Sequence, residues 1–194
     1  DFYSRLWMPS SSNREVYSMT APSSTFNKGL TIGDCSIAPN RTPTLLVRQD
    51  GINAQDVPFV GVFETYDKNT IKDVRLLKVN SGASGVEVLS NGDRRDMFLS
   101  SGDELKSSAS DFVLNGVFAQ ASEVQGKTVS LYLGNGTLVK HGKYSIESVD
   151  GSPVYAAIYC ENGVWRCSAS SKVRVKYGRK SVECEKCNDV TLKF

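Results

Sequence analysis

The sequence predicts an all-β fold, an antiparallel β-sandwich of stacked sheets with no substantial helix, and three observations predict it. Apolar and polar residues alternate with period two in short runs along the whole chain, and no run carries the three-to-four spacing of an amphipathic helix. Asn-Gly pairs at 91–92, 135–136 and 162–163 fall between such runs, and this pair supplies the positive φ angles that a tight hairpin requires. Turn signals recur at the roughly 8–12-residue spacing of a sandwich rather than at that of a parallel α/β fold.

Taken in order, alternation places strands at Tyr3–Met8, Arg14–Met19, Thr44–Arg48, Pro58–Tyr66 and Ile71–Val79. It continues through Val86–Leu89, Asp96–Leu99, Asp111–Ala119, Thr128–Leu133 and Thr137–Ser145. The last five are Val154–Cys160, Val164–Ser168, Lys172–Tyr177, Ser181–Cys184 and Val190–Phe194. Pro9–Asn13 and Pro22–Pro43 are rich in Ser, Pro, Asn and Gly and read as loops, the second long enough to carry recognition residues. Residues 1–194 read as one sandwich region, with Asn80–Gly85 as the place where it would subdivide. No internal repeat is visible.

Of 194 residues, 40% are hydrophobic and 23 basic side chains face 21 acidic ones, a balance that fits a folded globular protein rather than a disordered tail. The net charge of +2 singles out no partner. No apolar stretch approaches the roughly 20 residues that span a bilayer, so membrane insertion is not expected. The chain opens at Asp1 straight into a strand-like run, which suggests a segment upstream. Lys172, Arg174 and Lys176 share one face of a strand whose other face carries Val173, Val175 and Tyr177. They read either as a solvated sheet face or as a stripe that meets a polyanion such as an acidic polysaccharide. No aromatic platform adjoins them in sequence, so nucleic acid is not an expected partner.

The search for chemistry gives no complete set. His141 is the single histidine, and between Lys140 and Lys143 it reads as an exposed structural residue. Glu64 with Asp67, and Asp93 with Asp96, read as turn or surface ion-pair features rather than acid/base pairs. Tyr3, Tyr17 and Tyr66 keep a role as acid or as packing residues open. No phosphate-binding glycine motif follows a strand. Catalytic residues and cofactors are therefore expected to be none.

Cys160, Cys167, Cys184 and Cys187 stand close in sequence, while Cys35 lies apart in the long loop. With a two-residue turn at Asn162-Gly163, Cys160 faces Trp165 and Cys167 becomes its diagonal neighbour on the same face. Disulfides, unlinked thiols and a structural zinc site on Cys160, Cys167, Cys184 and Cys187 all remain open, although the Cys-x6-Cys half departs from zinc-knuckle spacing.

The segments Arg5–Met8 (RLWM), Asn13–Val16 (NREV), Pro43–Gln49 (PTLLVRQ) and Pro58–Glu64 (PFVGVFE), followed by Ile71, Val74 and Asp96–Leu99 (DMFL), resemble the C-terminal β region of heparinase II/III-like polysaccharide lyases. In that family an α/α toroid precedes stacked antiparallel sheets, and the enzyme cleaves uronic-acid polysaccharides by β-elimination. The resemblance implies a noncatalytic C-terminal β-sandwich that supports an upstream α/α-toroid catalytic domain of the same parent chain, lines its substrate groove and works in the periplasm or outside the cell. An acidic polysaccharide is the partner so implied. Trp7, Tyr66, Lys172, Arg174 and Lys176 are the candidate substrate-binding residues. The alternative is a free-standing carbohydrate-binding or cell-surface interaction module, in which Trp7 or Trp165 stacks on sugar rings.

Overall fold

The computed structural model describes residues 3–10, 13–22, 41–50, 58–66, 70–80 and 83–194. Fifteen strands are formed among them: β1 (Tyr3–Trp7), β2 (Arg14–Pro22), β3 (Arg41–Gln49), β4 (Val62–Tyr66), β5 (Ile71–Leu76), β6 (Ala83–Ser90), β7 (Arg94–Ala109), β8 (Phe112–Val124), β9 (Lys127–His141), β10 (Tyr144–Ser148), β11 (Val154–Glu161), β12 (Val164–Ala169), β13 (Val173–Tyr177), β14 (Lys180–Cys184) and β15 (Cys187–Thr191). The only helical element among the described residues is a three-residue 3-10 turn at Asn91–Asp93. The all-β expectation holds.

Two units separate by contact. Ser10–Asn53 forms one, Asp1–Pro9 with Ala54–Phe194 the other. The smaller is an antiparallel ribbon of β2 and β3, registered from Arg14 opposite Gln49 to Pro22 opposite Arg41. The expected long loop at 22–43 falls largely outside the described residues. At Asn80–Gly85 the chain leads into β6, and Asn80 bridges Ser108.

The larger unit holds the core. Its main sheet runs β14-β13-β10-β9-β8-β7-β6-β5, and β11, paired with β9, carries β12 and then β15. The branch arises because β9 is long enough to pair twice on one side. Its first half, Ser130–Gly136, lies against β11, and its second half, Leu138–His141, against β10. One layer therefore contains the end of β7, the start of β8 and the end of β9 with β10, β13 and β14; the other contains the start of β7, the end of β8 and the start of β9 with β5, β6, β11, β12 and β15. Phe112, Leu114, Leu131, Leu133, Val139, Ile146, Ile158, Val173 and Val175 are fully buried in one cluster. Burial of such side chains stabilises by about 1.5–3 kcal/mol each.

The strands change layers where glycines allow it. On β8 the buried parity switches from even (Phe112, Leu114) to odd (Ala119, Ala121) at Gly116, where the β8–β9 register also shifts. A Cβ on Gly116 would stand 2.4 Å from the Cα of its register partner Gly136, so the two paired backbones approach closely at this shift. Here the expected hairpin at Asn135-Gly136 does not form. Asn135 does adopt a positive φ of 50°, but the pair bends one continuous strand at an irregular register, and the runs at 128–133 and 137–141 are both β9. Asn162-Gly163 forms the expected hairpin turn with φ of 51° and 79°, and Asn91-Gly92 lies in the turn between β6 and β7.

A smaller ribbon, β1 with β4, belongs to the same unit, with Tyr3 opposite Tyr66 and Trp7 opposite Val62. Glu64 anchors it. This buried carboxylate accepts hydrogen bonds from Thr70 N (2.7 Å), Thr70 Oγ1 (2.8 Å), Ile71 N (2.8 Å) and Trp7 Nε1 (2.9 Å), which ties β1 and β4 to the start of β5. Donors aimed at the ionised form, the Ile71 amide foremost, hold its pKa at about 2.

Candidate functional site

One end of the sandwich is open between the layers. Strand alternation carries His141 inward at the end of β9, after Val139, and carries Glu123 inward near the end of β8, after Ala119 and Ala121. The two meet across the layers: His141 Nε2 lies 2.7 Å from Glu123 Oε1. His141 Nδ1 is 3.6 Å from Asp111 Oδ1, without a hydrogen-bond partner, and the ring meets Phe112 edge-on at 5.7 Å. Arg95 Nη1 approaches Glu123 at 3.4 Å, and its Nε donates to Glu87, so a chain of polar contacts runs from His141 through Glu123 and Arg95 to Glu87. With 2% of its surface exposed, His141 is not the solvent-facing residue that its flanking lysines suggest. Lys140 and Lys143 point outward while the histidine between them points in.

Above this floor lies a cleft of about 590 Å3 whose lining includes Asp111, Glu123, Lys127, Lys143, Tyr144, Cys160, Trp165 and Tyr177. The aromatic side is built from both layers. Tyr144 of β10 lies 4.4 Å from the Trp165 ring of β12 and 4.8 Å from the Tyr177 ring of β13, which in turn meets Phe194 at 5.8 Å. Burial raises the Tyr144 pKa, so its hydroxyl stays protonated and can donate. The volume falls within the range typical of ligand pockets, roughly 300–1,000 Å3.

A second cleft, of about 670 Å3, lies between residues 58–63 and the outer face of β6, β7 and β8. Its walls are mostly apolar, with Phe59, Phe63, Phe98 and Phe118. Its only charged lining residue, Asp96, already accepts from Arg94 Nε at 2.8 Å and from Ser122 Oγ at 2.5 Å. It lacks the unoccupied charge of the sandwich-end cleft.

The residues singled out from sequence are not brought together. Lys172, Arg174 and Lys176 do share the exposed face of β13, but each holds a carboxylate. Lys172 pairs with Glu185 (2.8 Å) and Glu183 (3.4 Å), Arg174 with Glu183 (2.7 Å), and Lys176 with Glu147 (2.7 Å). A polyanion would compete with these groups. Trp7 is half-buried, donates to Glu64 and carries the Arg5 guanidinium 5.3 Å from its ring centroid. Tyr66 pairs through its backbone with Tyr3, and its side chain lies outside the described residues. Asp67 is also outside them. Asp93 has a positive φ of 53° in the β6–β7 turn, which makes it a turn residue.

The register expected for the cysteines is present, with Cys160 opposite Trp165 and Ile158 opposite Cys167. In that register Cys160 and Cys167 are diagonal neighbours, a relation that generally sets residues about 7–8 Å apart. All four described cysteines are free thiols. Cys167 sits instead beside Cys184 and Cys187, and Cys187 Sγ lies 3.7 Å from the Cys167 carbonyl oxygen. Among the described residues no three His, Cys, Asp or Glu side chains are arranged to hold a metal ion. No described helix is long and apolar enough to cross a membrane.

Fold and cleft together define an antiparallel sandwich module with a mixed aromatic and charged site at its open end. Residues 71–159, from β5 into β11, match the family model of the endo-acting ulvan lyase C-terminal domain. The matched part of the chain is thus similar to a C-terminal domain of polysaccharide lyases. It includes the floor of the cleft and both lysines, whereas Trp165 and Tyr177 lie beyond it. Neither curated proteins nor solved structures gave a match.

Proposed function

We propose that the chain is the noncatalytic C-terminal sandwich of a polysaccharide lyase, exported with its parent, which holds a uronic-acid polysaccharide beside an upstream catalytic domain. The observation that carries this reading is the match of residues 71–159 to the ulvan lyase C-terminal domain. The resemblance of the first hundred residues to heparinase II/III-like lyases points the same way and suggests an α/α toroid upstream.

Chemistry supports the division of labour. β-Elimination needs a base for the C5 proton, a group that neutralises the uronate and an acid for the leaving oxygen. The one histidine is buried, with its Nε2 engaged by Glu123, so proton abstraction from a polymer would require it to leave its place. The experiment is to incubate the purified chain with ulvan and other uronate polymers, follow unsaturated uronate by ultraviolet absorbance, and read the coding sequence upstream of Asp1. The expected result is no product and a lyase catalytic domain upstream. Product from this chain alone, or an upstream sequence with no such domain, overturns the reading.

A further inference from the structure

We infer that the cleft at the open end of the sandwich is a binding subsite for an anionic sugar unit, with Lys127 and Lys143 as the carboxylate or sulfate contacts and Trp165, Tyr144 and Tyr177 as the wall for the sugar ring. The inference rests on the proposed lyase-module reading for its ligand class and on the cleft itself for its place.

Charge is the first ground. Lys127 and Lys143 are exposed, line the cleft and hold no ion-pair partner among the described residues. The cations of β13 contrast with them, since all three are already matched by Glu147, Glu183 and Glu185. An incoming carboxylate or sulfate at the cleft therefore gains two ammonium contacts without displacing a resident acid. Lys127 closes the β8–β9 turn of one layer and Lys143 the β9–β10 turn of the other, so the two ammonium groups belong to opposite lips.

Ring chemistry is the second. A pyranose ring has an apolar face of C–H groups and a rim of hydroxyls, and aromatic side chains suit the former. Trp165, Tyr144 and Tyr177 pack on one another at 4.4 and 4.8 Å, which fixes their positions before a ligand arrives and lowers the ordering cost of binding. In the same lining, Asp111 and Glu123 offer acceptors for hydroxyls, and the Tyr144 hydroxyl offers a donor. Glu123 is held in place by His141, so a buried histidine, though not part of the lining, serves as a positioning residue.

The test uses the whole chain with ulvan oligosaccharides and a neutral cello-oligosaccharide, followed by isothermal titration. Lys127→Gln with Lys143→Gln removes both cations from exposed, unpaired positions and leaves the fold intact, as a thermal melt verifies. The expected result is at least a tenfold loss of ulvan-oligosaccharide affinity in that double variant, a comparable loss in Tyr177→Ala and little binding of the neutral sugar throughout. Unchanged affinity in the folded double variant overturns the cleft assignment and leaves the lyase-module reading standing. Absence of ulvan-oligosaccharide binding by the unaltered chain also overturns the cleft assignment, while the lyase-module reading is then decided by the upstream sequence and the product assay. Equal binding of the neutral sugar overturns the anionic specificity.

Discussion

His141 Nε2 and Glu123 Oε1 stand 2.7 Å apart and join β9 of one layer to β8 of the other across the open end of the sandwich. The link couples the two lips of the cleft through a buried histidine and a half-buried carboxylate. His141→Ala removes a hydrogen bond to the Glu123 carboxylate, which keeps Arg95, and opens a cavity beside Phe112, so unfolding free energy in urea should fall by about 1.5–3 kcal/mol, the typical worth of a hydrogen bond to a charged group. A variant as stable as the original protein would show that the contact is incidental.

The close approach of β8 and β9 at Gly116 and Gly136 makes a sharper prediction about the fold. Gly116→Ala places a Cβ 2.4 Å from the Gly136 Cα, against backbone that has no side chain to rotate away. Destabilisation at the upper end of the roughly 1–3 kcal/mol typical of overpacking is expected. Gly126→Ala is the control: its φ of +70° strains an alanine, but nothing lies within 4 Å. Denaturant midpoints should therefore fall much further for position 116 than for 126.

Glu64 should shape the acid limb of stability. Its folded pKa of about 2 lies below the ordinary carboxylate value, so the ionised form is favoured by folding. Its contribution is fully present above the unfolded pKa of roughly 4.3 and is lost as pH falls toward about 2. Glu64→Gln should be less stable than the original protein at neutral pH, and the gap should narrow across that window. Thermal melts at stepped pH report it, and a gap that stayed constant from pH 6 to pH 2 would contradict the assignment.

The thiols should react unequally. Burial, reinforced at Cys167 by its sulfur neighbours, raises the pKa values of Cys167 and Cys184, and the thiolate is the reactive form. Cys160 and Cys187 are only half-buried. Alkylation of the native protein with iodoacetamide at pH 8, mapped by mass spectrometry, should mark Cys160 and Cys187 before Cys167 and Cys184. Early labelling of Cys167 would mean that this corner of the sandwich opens readily.

Much of the sheet is legible in the sequence because alternation is a local signal and one face of each strand is buried. Asn162-Gly163 is legible as a turn for the same reason. Asn135-Gly136 misleads because positive φ is needed both for a hairpin and for an irregular bend, and only the partner Gly116 decides between them. The dipeptide carries no record of that partner. His141 was within reach of the same reasoning: it shares parity with buried Val139 and opposes that of Lys140, a better guide than the charge of its neighbours. Its contact with Glu123, and the meeting of Trp165, Tyr144 and Tyr177, depend on which layer each strand joins. That is set by the branch at β9, which leaves no mark at any single position.

The stripe on β13 supplies a test of how pairing controls attraction for polyanions. Glu183 accepts from Arg174 at 2.7 Å and lies 3.4 Å from Lys172, and these partners lower its pKa, so it is ionised and neutralising at physiological pH. Glu147 pairs with Lys176 at 2.7 Å. Glu183→Gln with Glu147→Gln should cost little stability, because exposed ion pairs contribute about 0–1 kcal/mol. The same change frees Arg174 and Lys176, while Lys172 keeps Glu185 at 2.8 Å, so elution from an immobilised acidic polysaccharide should move to higher salt. The added retention should vanish as screening shortens the reach of charge, with a Debye length of about 3 Å at 1 M salt. Unchanged retention at low salt would mean that the carboxylates do not mask the stripe, and that Lys172, Arg174 and Lys176 are available to a polysaccharide as they stand.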